Sequence, residues 1–98
     1  SFVEKIVDSH PAVVSCVVVG IPHPYKKQVP VACIVLRSNF TPSEELTNDI
    51  KEYCAKSIAK YSMPYRYEYI KSIPKTLIGK VNYRKLEEEC TKKYSKVK

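Results

Sequence analysis

The chain has 98 residues, 44% of them apolar and 28% charged, with a formal net charge of +7. That length holds one domain, residues 1 to 98, able to bury roughly two-thirds of the surface its unfolded chain exposes, and the composition excludes a disordered or membrane-embedded protein. No apolar run reaches the length of a membrane span, and Ser1-Phe2-Val3-Glu4-Lys5 lacks the basic flank and apolar stretch of a signal peptide.

The opening segment spaces Phe2, Val3, Ile6 and Val7 as one face of a short helix that ends at His10-Pro11. Val13 to Val19 is a nearly continuous β-branched run, predicting a buried strand closed into a loop by Gly20-Ile21-Pro22. Val29 to Leu36 predicts a second strand, with Pro30 acceptable at a first ladder position or an edge. Thr41-Pro42-Ser43-Glu44 has the pattern of a capping box: Thr41 as N-cap, Pro42 at the first helical position, Glu44 three residues after the cap. Leu46, Ile50, Tyr53, Cys54, Ile58 and Tyr61 share one face of the helix this opens, which runs to about Lys60 before Pro64. Tyr65, Tyr67 and Tyr69 alternate with Arg66 and Glu68, predicting a third, half-buried strand. Ser72 to Gly79 predicts an exposed loop. A last helix begins near Asn82, turns Tyr83, Leu86 and Cys90 inward, and frays into a tail over residues 92 to 98. The order predicts an α+β domain, a small three-stranded sheet packed by about three helices.

Charge is uneven: residues 60 to 98 carry eleven of the 17 basic side chains and four of the ten acidic ones. Such a half suits a polyanion, a phosphorylated cofactor, an acidic partner or simply solvent. Cys16, Cys33, Cys54 and Cys90 are widely spaced, with no Cys-x-x-Cys pair and two histidines in the chain, so no metal site is predicted. Two of the thiols sit in valine-rich runs as small hydrophobes, which favours a reducing, cytoplasmic setting. His10 and His23 each stand beside a proline without a partnered nucleophile and are read as surface or turn residues. Gly79-Lys80 suggests a phosphate loop, but the first glycine and the Ser or Thr after the lysine are missing, and Val81 stands in the latter place. What remains is physical: Gly79 lets the backbone turn or approach a ligand, and Lys80 carries a compact ammonium at a loop's end, within reach of an anion.

The run Pro74-Lys75-Thr76-Leu77-Ile78-Gly79-Lys80-Val81-Asn82-Tyr83-Arg84-Lys85-Leu86 resembles the Pro-Lys-Thr-x-x-Gly-Lys-x-x-Arg-Arg-x-Leu signature at the carboxy-terminal end of adenylate-forming (AMP-binding) enzymes, most of all acyl-CoA synthetases. His10-Pro11-Ala12-Val13, Val18-Val19-Gly20-Ile21-Pro22-His23, Thr41-Pro42-Ser43-Glu44-Glu45-Leu46 and Ala59-Lys60-Tyr61-Ser62-Met63-Pro64 resemble further family elements in the same order. The resemblance implies the carboxy-terminal lid of a larger ligase, with the large amino-terminal domain and the hinge lying before Ser1, in keeping with the missing initiator methionine. It implies a parent enzyme that uses ATP and Mg²⁺ to join a carboxylate to AMP and then passes the acyl group to coenzyme A or, second, to a carrier-protein pantetheine. By the same resemblance Lys80 is the catalytic lysine of adenylation, Thr76 and Gly79 shape its ATP and substrate loop, and Arg84 supports the loop. Tyr61 and Arg66 face coenzyme A, although the apolar stripe from Leu46 equally places Tyr61 in the core. Alone, the domain is expected to bind none of these ligands and to be inactive. His23, Lys27-Gln28, Met63, Tyr65 and Tyr83 depart from the family pattern, which weakens the coenzyme A contacts more than Lys80.

A second hypothesis treats the chain as a free-standing basic module that meets nucleic acid or an anionic protein through residues 60 to 98, with tyrosines 65, 67 and 69 as a stacking platform. The resemblance favours the first and makes nucleic acid the lesser partner.

Overall fold

A computed structural model of the chain describes residues 2–94. The elements run α1 (Phe2–Asp8), β1 (Val13–His23), β2 (Lys27–Leu36), α2 (Glu44–Ala55), a 3₁₀ turn at Lys60–Ser62, β3 (Arg66–Tyr69) and α3 (Tyr83–Tyr94). The strands form one sheet in the order β1-β2-β3, antiparallel between β1 and β2 and parallel between β2 and β3. This is the three-stranded, three-helix α+β arrangement expected from the sequence.

Both faces of the sheet are covered, which is why β1 and β2 read as continuous apolar runs, whereas the short edge strand β3 keeps an alternating pattern. Cys16, Ala32 and Ile34 face α1 and α2 and pack with Val7, Ile50, Cys54 and Ile58. Val17, Val19, Ile21, Val29, Val31 and Cys33 face the other way and pack against Leu86 and Cys90 of α3. All four cysteines are free and buried, Cys16 and Cys33 in the valine-rich strands and Cys54 and Cys90 on the inner faces of α2 and α3, as the sequence predicts.

Five local expectations are corrected. Tyr83, expected on the inner side of α3, is 49% exposed, and Leu86 and Cys90 alone are the buried residues of that helix. β1 does not stop at Gly20-Ile21-Pro22 but pairs through them to His23, because the hairpin partner supplies a ladder that overrides two weak strand formers; Pro22 sits near the end of an edge strand, where a lost donor costs little. The helix cap is Ser43, not Thr41. Ser43 is extended (φ −159°, ψ 160°) and its Oγ accepts the Leu46 N–H at 3.0 Å. Both hydroxyls have the chemistry of a cap, and the chain uses the one adjoining the first residue of α2. That helix ends at Ala55 instead of about Lys60: the Cys54 carbonyl accepts from both Ser57 and Ile58 N–H groups, a tightened turn that brings Ile58 into the core. His10, read as a surface or turn residue, is 5% exposed. Its Nδ1 accepts the Ala12 N–H, so Nε2 carries the proton and donates to Asp49 Oδ2 at 2.8 Å, joining the end of α1 to α2.

Pro30 lies on the central strand yet breaks nothing. Its carbonyl accepts the Tyr65 N–H, and the β3 ladder begins one residue later, at Val31 with Arg66, so the missing donor falls at the end of that ladder. The expected fraying tail over residues 92 to 98 is helical as far as Tyr94, and residues 95–98 of it lie outside the described residues.

Candidate functional site

The segment between β3 and α3 is a braced loop. Ile73 and Val81 pack against the α3-side cluster and anchor its two stems. Lys75 and Val81 form an antiparallel bridge, and the Asn82 N–H donates to the Pro74 carbonyl at 2.8 Å. Above that base the Thr76 N–H donates to the Lys80 carbonyl at 2.7 Å, and the Gly79 N–H donates to the Thr76 carbonyl at 3.0 Å. The Lys80 N–H reaches Thr76 Oγ1 at 3.3 Å. Thr76 thus closes the loop on itself with both backbone and hydroxyl.

Gly79 takes φ +84°, in the left-handed region, while a Cβ built there would meet nothing within 4 Å. Backbone conformation, not space, is what requires glycine at this position. The turn leaves Lys80 exposed, and its ammonium has no ion-pair partner among the described residues. A cation on a fixed backbone, with no ion-pair partner among the described residues, can meet an external anion without first breaking one of those pairs.

Of the other residues singled out by sequence, Tyr61 stands on the 3₁₀ turn at 92% exposure, which removes the core-packing alternative. Arg66 is exposed at the start of β3, with its guanidinium 4.6 Å from the Tyr94 ring centre and 5.6 Å from that of Tyr65. Arg84 lies on the solvent side of α3, its Nε 3.6 Å from Glu88 Oε1, and donates no hydrogen bond to the lysine loop among the described residues. Loop support comes from Asn82, which sequence reasoning passed over. While its N–H holds Pro74, its Oδ1 accepts the Lys85 N–H at 3.1 Å and caps α3. An asparagine directly before a helix was the available signal.

Also missed is a cluster at the β1–β2 hairpin tip, assembled from residues some forty positions apart. His23 Nδ1 accepts N–H groups of Tyr25 and Lys26, and its Nε2 lies 3.3 Å from the Tyr65 hydroxyl. Lys26 Nζ sits 5.5 Å from the Tyr65 ring centre. Tyr67 and Tyr69 pack on the α1/α2 side, Tyr69 bonding Thr47 Oγ1 at 2.6 Å, so the three-tyrosine stacking platform does not form. A shallow depression of about 520 Å³ lined by Phe40, Leu46, Asp49 and Glu52 lies along α2, across the sheet from the lysine loop's anchors, and its acidic lining does not suit an anionic ligand. Among the described residues no group of His, Cys, Asp or Glu is placed to hold a metal ion, and no helix is long and apolar enough to cross a membrane.

Comparison with known proteins gives this geometry a family. The acetyl-coenzyme A synthetase of Pyrobaculum arsenaticum is 39% identical over 83 residues, covering 85% of this chain and 12% of the relative. The crystal structure of an ATP-bound RpMatB-BxBclM chimera superposes with a TM-score of 0.90 at 30% identity over 95% of this chain and 18% of that one. The anthranilate CoA ligase AuaEII, solved in complex with anthranoyl-AMP, gives a TM-score of 0.84 at 33% identity over 96% of this chain and 18% of its own. The chain therefore spans less than a fifth of the length of these relatives. The profile of the AMP-binding enzyme C-terminal domain matches residues 3–80, ending on Lys80, and the chain belongs to that family.

Proposed function

We propose that this chain is the mobile C-terminal domain of an ATP-dependent acyl-CoA synthetase and that Lys80 is the cation it contributes to adenylation. In this reaction a carboxylate oxygen attacks the α-phosphorus of ATP, pyrophosphate leaves, and the acyl-adenylate then yields its acyl group to a thiol as AMP departs. The observation that carries the proposal is the braced loop ending on an exposed ammonium with no ion-pair partner among the described residues, in a family whose solved members include ATP-bound and acyl-AMP-bound proteins. Negative charge gathers on the phosphate and carboxylate oxygens as the first step proceeds, and a fixed cation stabilises it most at that moment. Thr76 and Gly79 hold the loop that presents it.

A lysine needed for one half-reaction belongs on a part that can withdraw in the other, and rotation of this domain between the two is the expected motion. Tyr61 and Arg66 are the proposed contacts to coenzyme A: the first offers an open ring face, the second a guanidinium for a phosphate. ATP, its Mg²⁺ and the acid are assigned to a large amino-terminal domain of the same polypeptide, so the 98 residues alone are expected to be inactive. Four free, buried thiols suit a cytoplasmic setting.

The test separates the half-reactions in the full-length ligase. Lys80→Ala is expected to abolish acyl-adenylate formation while thioester formation from supplied acyl-adenylate continues, and Tyr61→Ala is expected to slow only the second step. Equal loss of both half-reactions in Lys80→Ala would remove the assigned role.

A further inference from the structure

We propose that Leu77 and Ile78 are positioning residues, an apolar crest that seats the Lys80 loop on the large domain and favours the closed state in which adenylation occurs. The proposal rests on the function inferred above and adds residues that the function itself does not name. Leu77 is exposed at 107% of its reference area and Ile78 at 79%, side by side at the tip of the loop. Their exposure does not come from a floppy segment, because the Thr76–Lys80, Gly79–Thr76 and Lys75–Val81 pairings hold the backbone beneath them. The loop's own apolar anchoring is already provided by Ile73 and Val81 at its stems, so the crest adds nothing to the packing of this domain. Two neighbouring aliphatic side chains fixed in water are a standing cost until something covers them.

What covers them follows from the turn. The hydrogen bond from Gly79 to Thr76 places 77 and 78 at its crest, three and two residues ahead of Lys80. An approach that carries the Lys80 ammonium to an anion on another domain buries the crest on the way. The relatives extend far beyond the region this chain matches, which covers 12% to 18% of their length, and the large amino-terminal domain proposed above is the surface that would receive it. The complement this crest requires is an apolar recess beside the anion site. Area that leaves water only in the closed state stabilises only that state and shifts the domain equilibrium towards it. It also offsets the dehydration of the ammonium as the loop seats.

The experiment uses the full-length ligase carrying L77S/I78S, with L77M/I78V as the conservative control and Lys80→Ala as the reference. The serine pair is expected to lower the rate of acyl-adenylate formation by about ten-fold or more and to leave thioester formation from supplied acyl-adenylate within about two-fold, while the conservative pair recovers most of the adenylation rate. Wild-type adenylation by L77S/I78S alongside a dead Lys80→Ala overturns the crest and leaves the function standing. Full adenylation by Lys80→Ala overturns both. Equal loss in the two half-reactions overturns the crest, as does binding of the wild-type ligase to phosphatidylserine vesicles that is abolished in L77S/I78S without any change in adenylation, since the crest would then serve a lipid surface.

Discussion

The two exposed tips of the molecule, the β1–β2 hairpin end and the Thr76–Lys80 loop, share three properties. Each is basic, each is braced by backbone hydrogen bonds, and each contains one residue in the left-handed region, Lys27 at φ 64° and Gly79 at φ 84°. They differ in where their side chains are spent. At the hairpin, His23 is bonded to Tyr25 and Lys26, Tyr65 lies against it, and the Lys26 ammonium faces the Tyr65 ring. At the lysine loop the bonds lie among Thr76, Gly79 and Lys80, and the Leu77, Ile78 and Lys80 side chains are exposed. At the hairpin His23, Lys26 and Tyr65 engage one another, while Tyr25 stays 92% exposed. The loop is ordered in its backbone and uncommitted in its side chains, the condition of an element that completes its contacts elsewhere.

The comparison breaks first on activity. In the full-length ligase Lys80→Ala is expected to lower acyl-adenylate formation by about 10² to 10³-fold, whereas Lys26→Ala, equally basic but internally engaged, should leave that step within about two-fold. Single-turnover formation of acyl-AMP measures both, and similar effects from the two lysines would erase the distinction drawn between the tips.

The scaffold beneath both tips is probed by alkali. Burial pushes the Cys16 thiol up to about 12 and raises those of Cys33, Cys54 and Cys90 as well. A raised thiol keeps its proton in the folded chain when the unfolded chain, with values near 9.0, has released it. The stability these thiols contribute is therefore complete below pH 9 and declines as pH rises from there towards the folded values, by up to about 1.4 kcal/mol per pH unit for each thiol in that window. Melting temperature followed from pH 7 to 11 should be level at first and fall above 9. A rise would contradict the burial of the thiols.

Smaller effects separate the two left-handed residues. Gly79→Ala places a Cβ in open space but in a disfavoured conformation, at a cost of about 1–2 kcal/mol in urea unfolding, together with a weakened loop. Lys27→Gly should act in the opposite direction by about 0.5 kcal/mol, since relief of the left-handed lysine exceeds the added freedom of the unfolded chain. Destabilisation by both substitutions would show that the hairpin tip depends on its lysine more than on its backbone.

Much of this molecule was legible in its residues because the governing interactions are local. Apolar spacing along Val13 to Val19, Val29 to Leu36 and Leu46 to Cys54 reports which side chains leave water whatever lies opposite, and Gly79 followed by Lys80 marks a turn that ends on a cation. The motif around them pointed to the family whose profile matches residues 3–80. Tertiary pairing decided the rest. Pro22 and Gly20 belong to a strand only because β2 lies beside them. Tyr61 is carried out to solvent because the chain turns at Cys54 to bury Ile58. The bracing of Lys80 by Asn82 and Thr76, the solvent-facing crest of Leu77 and Ile78, and the meeting of His23 with Tyr65 all depend on which groups the fold brings within hydrogen-bond or van der Waals reach. Patterning along a chain records the tendency of each side chain to leave water; only the packed structure settles which partner it finds, and which side chains are left without one.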